Sequence, residues 1–160
     1  DPGYVRGVGL KVFEVFRKMM AELGWVMQLF CDHRVMQDVA PTLRAVSREM
    51  PVIVDHMLMV PSGKGVNEPN FQALLKLVGE GHAHVKVSAA YRLSDQFPDY
   101  PDAKPFHDAL LRANPERLMW GTDWPHPWVS AEAMPGRCAF LAASSPLWSR
   151  VLAASTTVEK

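Results

Sequence analysis

The residues best equipped for chemistry gather in one stretch, Trp120-Gly121-Thr122-Asp123-Trp124-Pro125-His126-Pro127. Arg117-Leu118-Met119-Trp120 ahead of it is an apolar run long enough for a short buried strand. Pro125 and Pro127 cannot donate to a β-ladder, so that strand must end near Asp123. A carboxylate at the last position of a buried parallel strand sits where α/β folds place their catalytic groups. A lone aspartate there would read most simply as a cap for the next turn. Here two indoles flank it, an imidazole follows it, and two prolines stiffen the loop, which favours a site.

Further polar residues mark the ends of earlier strand-like runs. Trp25-Val26-Met27-Gln28-Leu29-Phe30-Cys31 is nearly continuous in apolar character, with Gln28 on the same face as Val26 and Phe30. Pro51-Val52-Ile53-Val54 leads to Asp55 and His56, and Val85-Lys86-Val87 leads to Ser88, with Arg92 just beyond. Lys86 and Ser88 share a face by the two-residue period of a strand. Val5-Arg6-Gly7-Val8-Gly9-Leu10 also reads as strand.

Helical periods separate these runs. Lys11 to Leu23 carries Val12, Phe13, Val15, Phe16, Met19 and Met20 at helical spacing, and Gly24 follows as a C-cap. Asp38 to Met50, Phe71 to Val78 and Pro105 to Ala113 are the next three helical segments. Strands alternating with helices, without hairpin signals, predict a parallel sheet covered by helices. The strand candidates are too few to close an eight-stranded barrel alone. Polar groups recurring at carboxyl ends nevertheless suit a barrel mouth, so the expected fold class is α/β, the carboxyl-side part of a (β/α)8 TIM barrel.

Composition narrows the function classes. The chain has 160 residues, 48% hydrophobic and 21% charged, with a formal net charge of +0. With no basic excess, neither nucleic acid nor an anionic membrane is an expected partner. No apolar run approaches the roughly 20 residues that span a bilayer. The chain opens on Asp1-Pro2-Gly3-Tyr4, without an initiator Met or signal peptide, and reads as mid-domain sequence. Cys31 and Cys138 do not make a disulfide framework, and Cys31 in its apolar run reads as a buried thiol in a reducing, cytoplasmic compartment.

Val54-Asp55-His56-Met57, Val85-Lys86-Val87-Ser88 continuing to Tyr91-Arg92-Leu93-Ser94, and the stretch from Trp120 to Pro127 together resemble the amidohydrolase-2 family. Within it they are most similar to the branch of 2-pyrone-4,6-dicarboxylate hydrolase and related lactonases. Gly24-Trp25 running into Gln28-Leu29, and Asn114-Pro115-Glu116-Arg117, fit the same pattern. The resemblance runs from about Val5 to Met134 and divides the chain into a partial barrel domain, 1–134, and a divergent or truncated tail, 135–160.

The resemblance implies a distorted (β/α)8 barrel that hydrolyses a cyclic ester, with a carboxylated lactone as substrate and no cofactor. His56 matches the family's mid-barrel histidine and Asp123 its final aspartate. Arg92 matches an arginine that grips a substrate carboxylate. Arg6 matches the start of an Arg-Gly-Val-Arg-Phe segment, in which Gly9 here replaces the second arginine. The family's first-strand His-x-His pair has no counterpart in this chain. Were zinc bound, His56 and Asp123 would be its ligands.

Lactone hydrolysis needs an activated water, a polarised carbonyl and a proton for the leaving oxygen. Asp123 is the expected general base, with Trp120 and Trp124 as apolar walls that raise its pKa. His56 is expected to orient the water or polarise the carbonyl; its alternative is a core histidine bonded to a backbone carbonyl. Arg92 offers a planar fork suited to a carboxylate. Its alternative is a surface pair with Asp95 or Asp99. Gln28, Ser88 and Arg6 complete the expected substrate contacts, while His126 and Trp124 hold the Asp123 loop. Lys86 is either a plain interior lysine or the partner of a carboxylate. His82-Ala83-His84 has metal-pair spacing but lies at the wrong strand end, where solvent is expected around it. His107 is expected on a helix surface. Two other readings compete: a non-catalytic remnant of such a hydrolase, and a flavodoxin-like binding domain, disfavoured because no glycine-rich phosphate loop follows the first strand.

Overall fold

The computed structural model describes residues 8–124, with side chains from residue 15 onward. Four helices and four strands alternate along this span: α1 (Val8–Glu22), β1 (Met27–Leu29), α2 (Met36–Val46), β2 (Val52–Val54), α3 (Pro69–Gly79), β3 (His84–Val87), α4 (Lys104–Ala113) and β4 (Leu118–Trp120). All pairings are parallel and the spatial order is β1-β2-β3-β4. Strands that neighbour one another in chain order, without a reversal point, are those of a barrel wall. A doubly wound flavodoxin-like sheet would reverse. The expected α/β class is therefore observed, and the architecture is part of a (β/α)8 barrel.

One expectation fails at the amino end. Val8, Gly9 and Leu10 are not strand but the first turn of α1. The period set by Val12, Val15 and Met19 reaches back to Val8, and a lone glycine lowers helix propensity without breaking the run. The described sheet accordingly has four strands, one fewer than the sequence offered. At the other end of α1, Gly24 closes the helix as expected. It adopts φ +66° while its N–H bonds Ala21 O and the Trp25 N–H bonds Met20 O, a Schellman arrangement.

Register sorts the strand residues into two faces. Gln28 lies level with Ile53, and Lys86 with Met119, so the Gln28, Ile53, Lys86 and Met119 side chains share the face away from the helices. The opposite face carries Val52, Val54, Val85, Val87 and Leu118, all buried against helices. Beneath it, Leu43 and Val46 of α2, Phe71, Leu74 and Leu77 of α3, and Phe106 and Leu110 of α4 fill the core. Phe71 and Phe106 meet edge to face with centroids 4.8 Å apart. α3 starts sharply because Pro69 opens it and the Glu68 carboxylate accepts from the Phe71 N–H at 2.8 Å.

Two further expectations are corrected. His107 is not on a surface but only 3% exposed, because α4 buries Phe106, His107, Ala109 and Leu110, a broader face than the period implied. His82 and His84 are half-buried and engaged: His82 Nδ1 lies 2.8 Å from Ser47 Oγ, and His84 Nε2 2.9 Å from an Arg117 nitrogen. They do sit at the amino end of β3, away from the mouth. Cys31 is half-buried, and burial, with Asp32 beside it, pushes its thiol up to about 11.

Candidate active site

Three strand ends deliver the site, and each turns through left-handed backbone to do so. After β2, His56, Met57, Leu58 and Met59 take φ of 54°, 51°, 66° and 52° in succession. After β3, Ala89 has φ 53°, and beyond β4 Asp123 has φ 57°. Left-handed backbone costs a non-glycine residue roughly 1–2 kcal/mol. Here burial holds it in place, with Met57 and Leu58 sealed in the core. Strain that packing overrules is a common companion of active sites.

These turns converge on Asp123. Its Oδ2 accepts from Arg92 Nε at 2.8 Å and from the Tyr91 hydroxyl in a short bond. Its Oδ1 lies 3.3 Å from His56 Nε2. His56 Nδ1 is in turn 2.7 Å from the hydroxyl of Ser88, which is 1% exposed. A carboxylate facing Nε2 favours the tautomer with hydrogen there, so Nδ1 accepts from Ser88. The backbone-carbonyl alternative for His56 and the Asp95 or Asp99 alternative for Arg92 are both set aside by these contacts.

Burial lowers the His56 pKa below its ordinary value, outweighing the attraction of Asp123 and Asp55. The imidazole is thus neutral at neutral pH. Burial alone would raise the Asp123 pKa, but the Tyr91 and Arg92 hydrogen bonds and the nearby His56 reverse that and hold it below the usual carboxylate range. The expected raised pKa is therefore wrong. Its intended wall is absent too: Trp124 is 73% exposed, and Trp120 belongs to a strand on the helix side. Burial and the bond to Asp123 push the Tyr91 phenol upward, so it stays a donor.

Gln28 reaches not open space but Asp55, its amide donating to Oδ2 at 2.8 Å. Lys86 Nζ sits 3.1 Å from the other oxygen of Asp55. Of the two readings for Lys86, the carboxylate partner holds. This Gln28-Asp55-Lys86 row crosses three strands one level below the mouth. Phe30, two residues past Gln28, forms the rim: its ring lies edge-on to His56 at 5.8 Å and under the Arg92 guanidinium at 5.7 Å. Arg92 also lies 5.3 Å from the Tyr91 ring. Gly121 leaves room beside Ser88, whose Cβ is 3.6 Å from where a glycine Cβ would stand.

Arg92 is held in turn by its loop. Ser62 N–H bonds Leu93 O at 2.7 Å, and the Ser62 and Ser94 hydroxyls both donate to Asp102. Tyr91 and Phe30 were missed in the sequence. Tyr91 stands next to Arg92 and Phe30 next to the end of an apolar run, where an aromatic residue reads as core. Arg6, His126 and the 135–160 tail lie outside the described residues.

Zinc takes three or four protein ligands. Among the described residues no three His, Cys, Asp or Glu converge. His56 and Asp123 are only two, and Oδ2 of Asp123 is already committed to Tyr91 and Arg92. The described residues do not make a zinc site, and no chemical step below runs through a metal.

A family profile described as amidohydrolase matches residues 6–146. The chain belongs to the amidohydrolase family. Among curated relatives of this amidohydrolase chain, a 4-sulfomuconolactone hydrolase of Hydrogenophaga intermedia is 33% identical over 115 residues, 72% of this chain and 37% of that protein. A 2-pyrone-4,6-dicarboxylate hydrolase of Comamonas testosteroni is 34% identical over 118 residues, 68% and 38%. The chain thus spans under two-fifths of the length of these relatives. Among solved structures, an apo protein of Agrobacterium tumefaciens superposes with TM-score 0.67 at 24% identity, over 89% of this chain and 47% of that one. A zinc-bound amidohydrolase of Burkholderia multivorans gives TM-score 0.61 at 21% identity, over 91% and 50%. Both support the barrel assignment of the fold. Among the described residues no helix is long and apolar enough to cross a membrane.

Proposed function

We propose that the full-length amidohydrolase opens a carboxylated lactone by water attack, with Asp123 as general base. The observation that carries this reading is the convergence of His56 and Arg92, from two other strand ends, onto the carboxylate of Asp123. Relatives named as lactone hydrolases support the choice of a lactone as substrate class. The substrate carboxylate meets the terminal nitrogens of Arg92, whose Nε is already committed to Asp123. His56, neutral and with its single N–H toward Oδ1 of Asp123 in the free protein, turns that hydrogen to the incoming water or lactone carbonyl, which it orients or polarises.

The proton balance closes on Asp123. A water proton passes to the carboxylate as the water oxygen bonds the carbonyl carbon. When the ring C–O bond breaks, the same proton moves to the leaving oxygen, and the carboxylate is regenerated. The low proton affinity of Asp123 in the free protein fits a base that is tuned by its substrate. A bound carboxylate partly neutralises Arg92, which loosens its pull on Oδ2 and raises the proton affinity of Asp123 when it is needed. Gln28 and Ser88 act here through Asp55 and His56 rather than by reaching the substrate first. By resemblance, Arg6 is a further carboxylate contact, and Trp124 and His126 are the residues expected to hold the Asp123 loop.

The test is a panel of carboxylated and neutral lactones assayed with the full-length protein, before and after chelation. Turnover of carboxylated lactones that survives chelation is expected. Asp123→Asn should lower kcat by about two to four orders of magnitude with KM nearly unchanged. Arg92→Ala should raise KM for carboxylated lactones above all. No turnover of any lactone would return the chain to the non-catalytic reading. Parental turnover by Asp123→Asn would place the base elsewhere.

A further inference from the structure

The structure assigns Tyr91 as a positioning residue that, with Arg92, saturates one oxygen of Asp123 and leaves the other, Oδ1, to take the proton of the attacking water. This rests on the lactone-hydrolase reading and says which atom of the base does the work. A carboxylate offers about four lone-pair sites, two on each oxygen. Both sites on Oδ2 are filled, one by the Tyr91 hydroxyl and one by Arg92 Nε at 2.8 Å. Among the described residues Oδ1 has only His56 Nε2 beside it, at 3.3 Å, a long contact that leaves a second site. A water hydrogen-bonded there would also stand beside the imidazole that orients it.

The two donors are not equivalent. Arg92 can turn part of its fork to a substrate anion, whereas the phenol has one proton and its ring is held under the guanidinium, 5.3 Å from Cζ. Tyr91 therefore keeps the carboxylate plane fixed while Arg92 changes partners. Its position makes this feasible: Ala89 turns the chain through left-handed backbone straight after β3, and the Ala90–Arg92 turn then presents Tyr91 and Arg92 together to the end of β4. A phenylalanine would keep the ring and the stacking but release one lone pair of Oδ2, leaving the carboxylate free to rotate about its last bond.

The experiment compares Tyr91→Phe, Asp123→Asn and the double variant in the full-length protein, with carboxylated lactones. Tyr91→Phe should lower kcat roughly ten- to hundredfold while KM stays within about twofold and the melting temperature holds. In the Asp123→Asn background the same change should cost almost nothing further, because the two act through one carboxylate. Parental kcat in Tyr91→Phe, or losses that multiply in the double variant, would overturn the assignment while leaving the lactonase reading intact. A second measurement needs no turnover. With ring-labelled tyrosine, the Cζ resonance that vanishes in Tyr91→Phe should shift in Asp123→Asn, reporting the phenol-carboxylate bond. If the parental protein opens no lactone, that signal decides alone: a resonance unmoved by Asp123→Asn overturns the pairing.

Discussion

At the scale of single residues, burial forces ionisable groups into fixed states, in the candidate site and outside it. His56, His84 and His107 all have their pKa lowered below 6.5, chiefly by burial, with Arg117 adding to the effect at His84. A histidine kept neutral in the folded chain takes up its proton later than the unfolded chain does. Above about pH 6.5 the two states hold the same protons at these sites, and stability is unaffected by them. Below it the unfolded chain binds protons first, so stability is lost as pH falls toward the folded pKa values. Asp123, lowered from 3.8, has the carboxylate sign: its contribution stays whole at neutral pH and is lost only under more acid conditions. Thermal melts between pH 8 and 5 should therefore fall on the acid side, and His84→Gln should flatten part of that slope. A melting temperature that is level or rises from pH 7 to 5 would sink this account. Much of this chemistry was legible beforehand, because Asp123 and His56 end apolar runs and Arg92 follows one. What escaped was the electrostatic outcome: whether Asp123 gains or loses proton affinity depends on Tyr91 and Arg92 crossing from the neighbouring strand, and no spacing within one strand reveals that.

At the scale of elements, helices covered the sheet as the 3.6-residue period foretold, and the sequence-based boundaries of α3 and α4 lay within a few residues of the observed ones. Two kinds of error remained. The Val5 to Leu10 run resembled a strand because a short apolar segment does not declare its period, and α1 absorbed its last three residues. The turn after β2 was unreadable, since Met57, Leu58 and Met59 do not favour left-handed backbone, and the burial of Met57 and Leu58 in the core goes with it. That burial makes the helix layer a support of the site. Phe71 of α3 is fully buried and packs edge to face on Phe106 of α4. Phe71→Ala should destabilise by about 3–5 kcal/mol, the usual range for emptying such a position. Urea unfolding of the variant would measure it, and a loss below about 1 kcal/mol would mean that the layer collapses to fill the gap.

At the scale of the whole molecule, the described sheet has one face dressed by helices and two edge strands. Val52, Val54, Val85 and Val87 are sealed by α2, α3 and α4, whereas β1 and β4 are the edges of the described sheet. Edge strands expose unpaired N–H and C=O groups that template association. The β1 side adds apolar residues: Val15, Phe16 and Met19 of α1, then Leu23, Trp25 and Val26 beyond its end, each roughly half exposed or more. Exposed apolar side chains gathered beside an open parallel edge are what folded monomers avoid. In a closed barrel of twice the length, as in the solved relatives that this chain half covers, both edges of the matching sheet would be paired. The 160 residues on their own should therefore associate, with a molar mass by light scattering that rises with concentration and a broad thermal transition. Replacing Trp25 by Glu places a charge among these apolar residues and should shift the distribution toward monomer without disturbing His56, Arg92 or Asp123, which lie at the strand ends. A concentration-independent monomer with a sharp melt would show that the open edge and the exposed apolar residues are tolerated as they stand, and that the barrel wall built by β1 to β4 is stable without further strands.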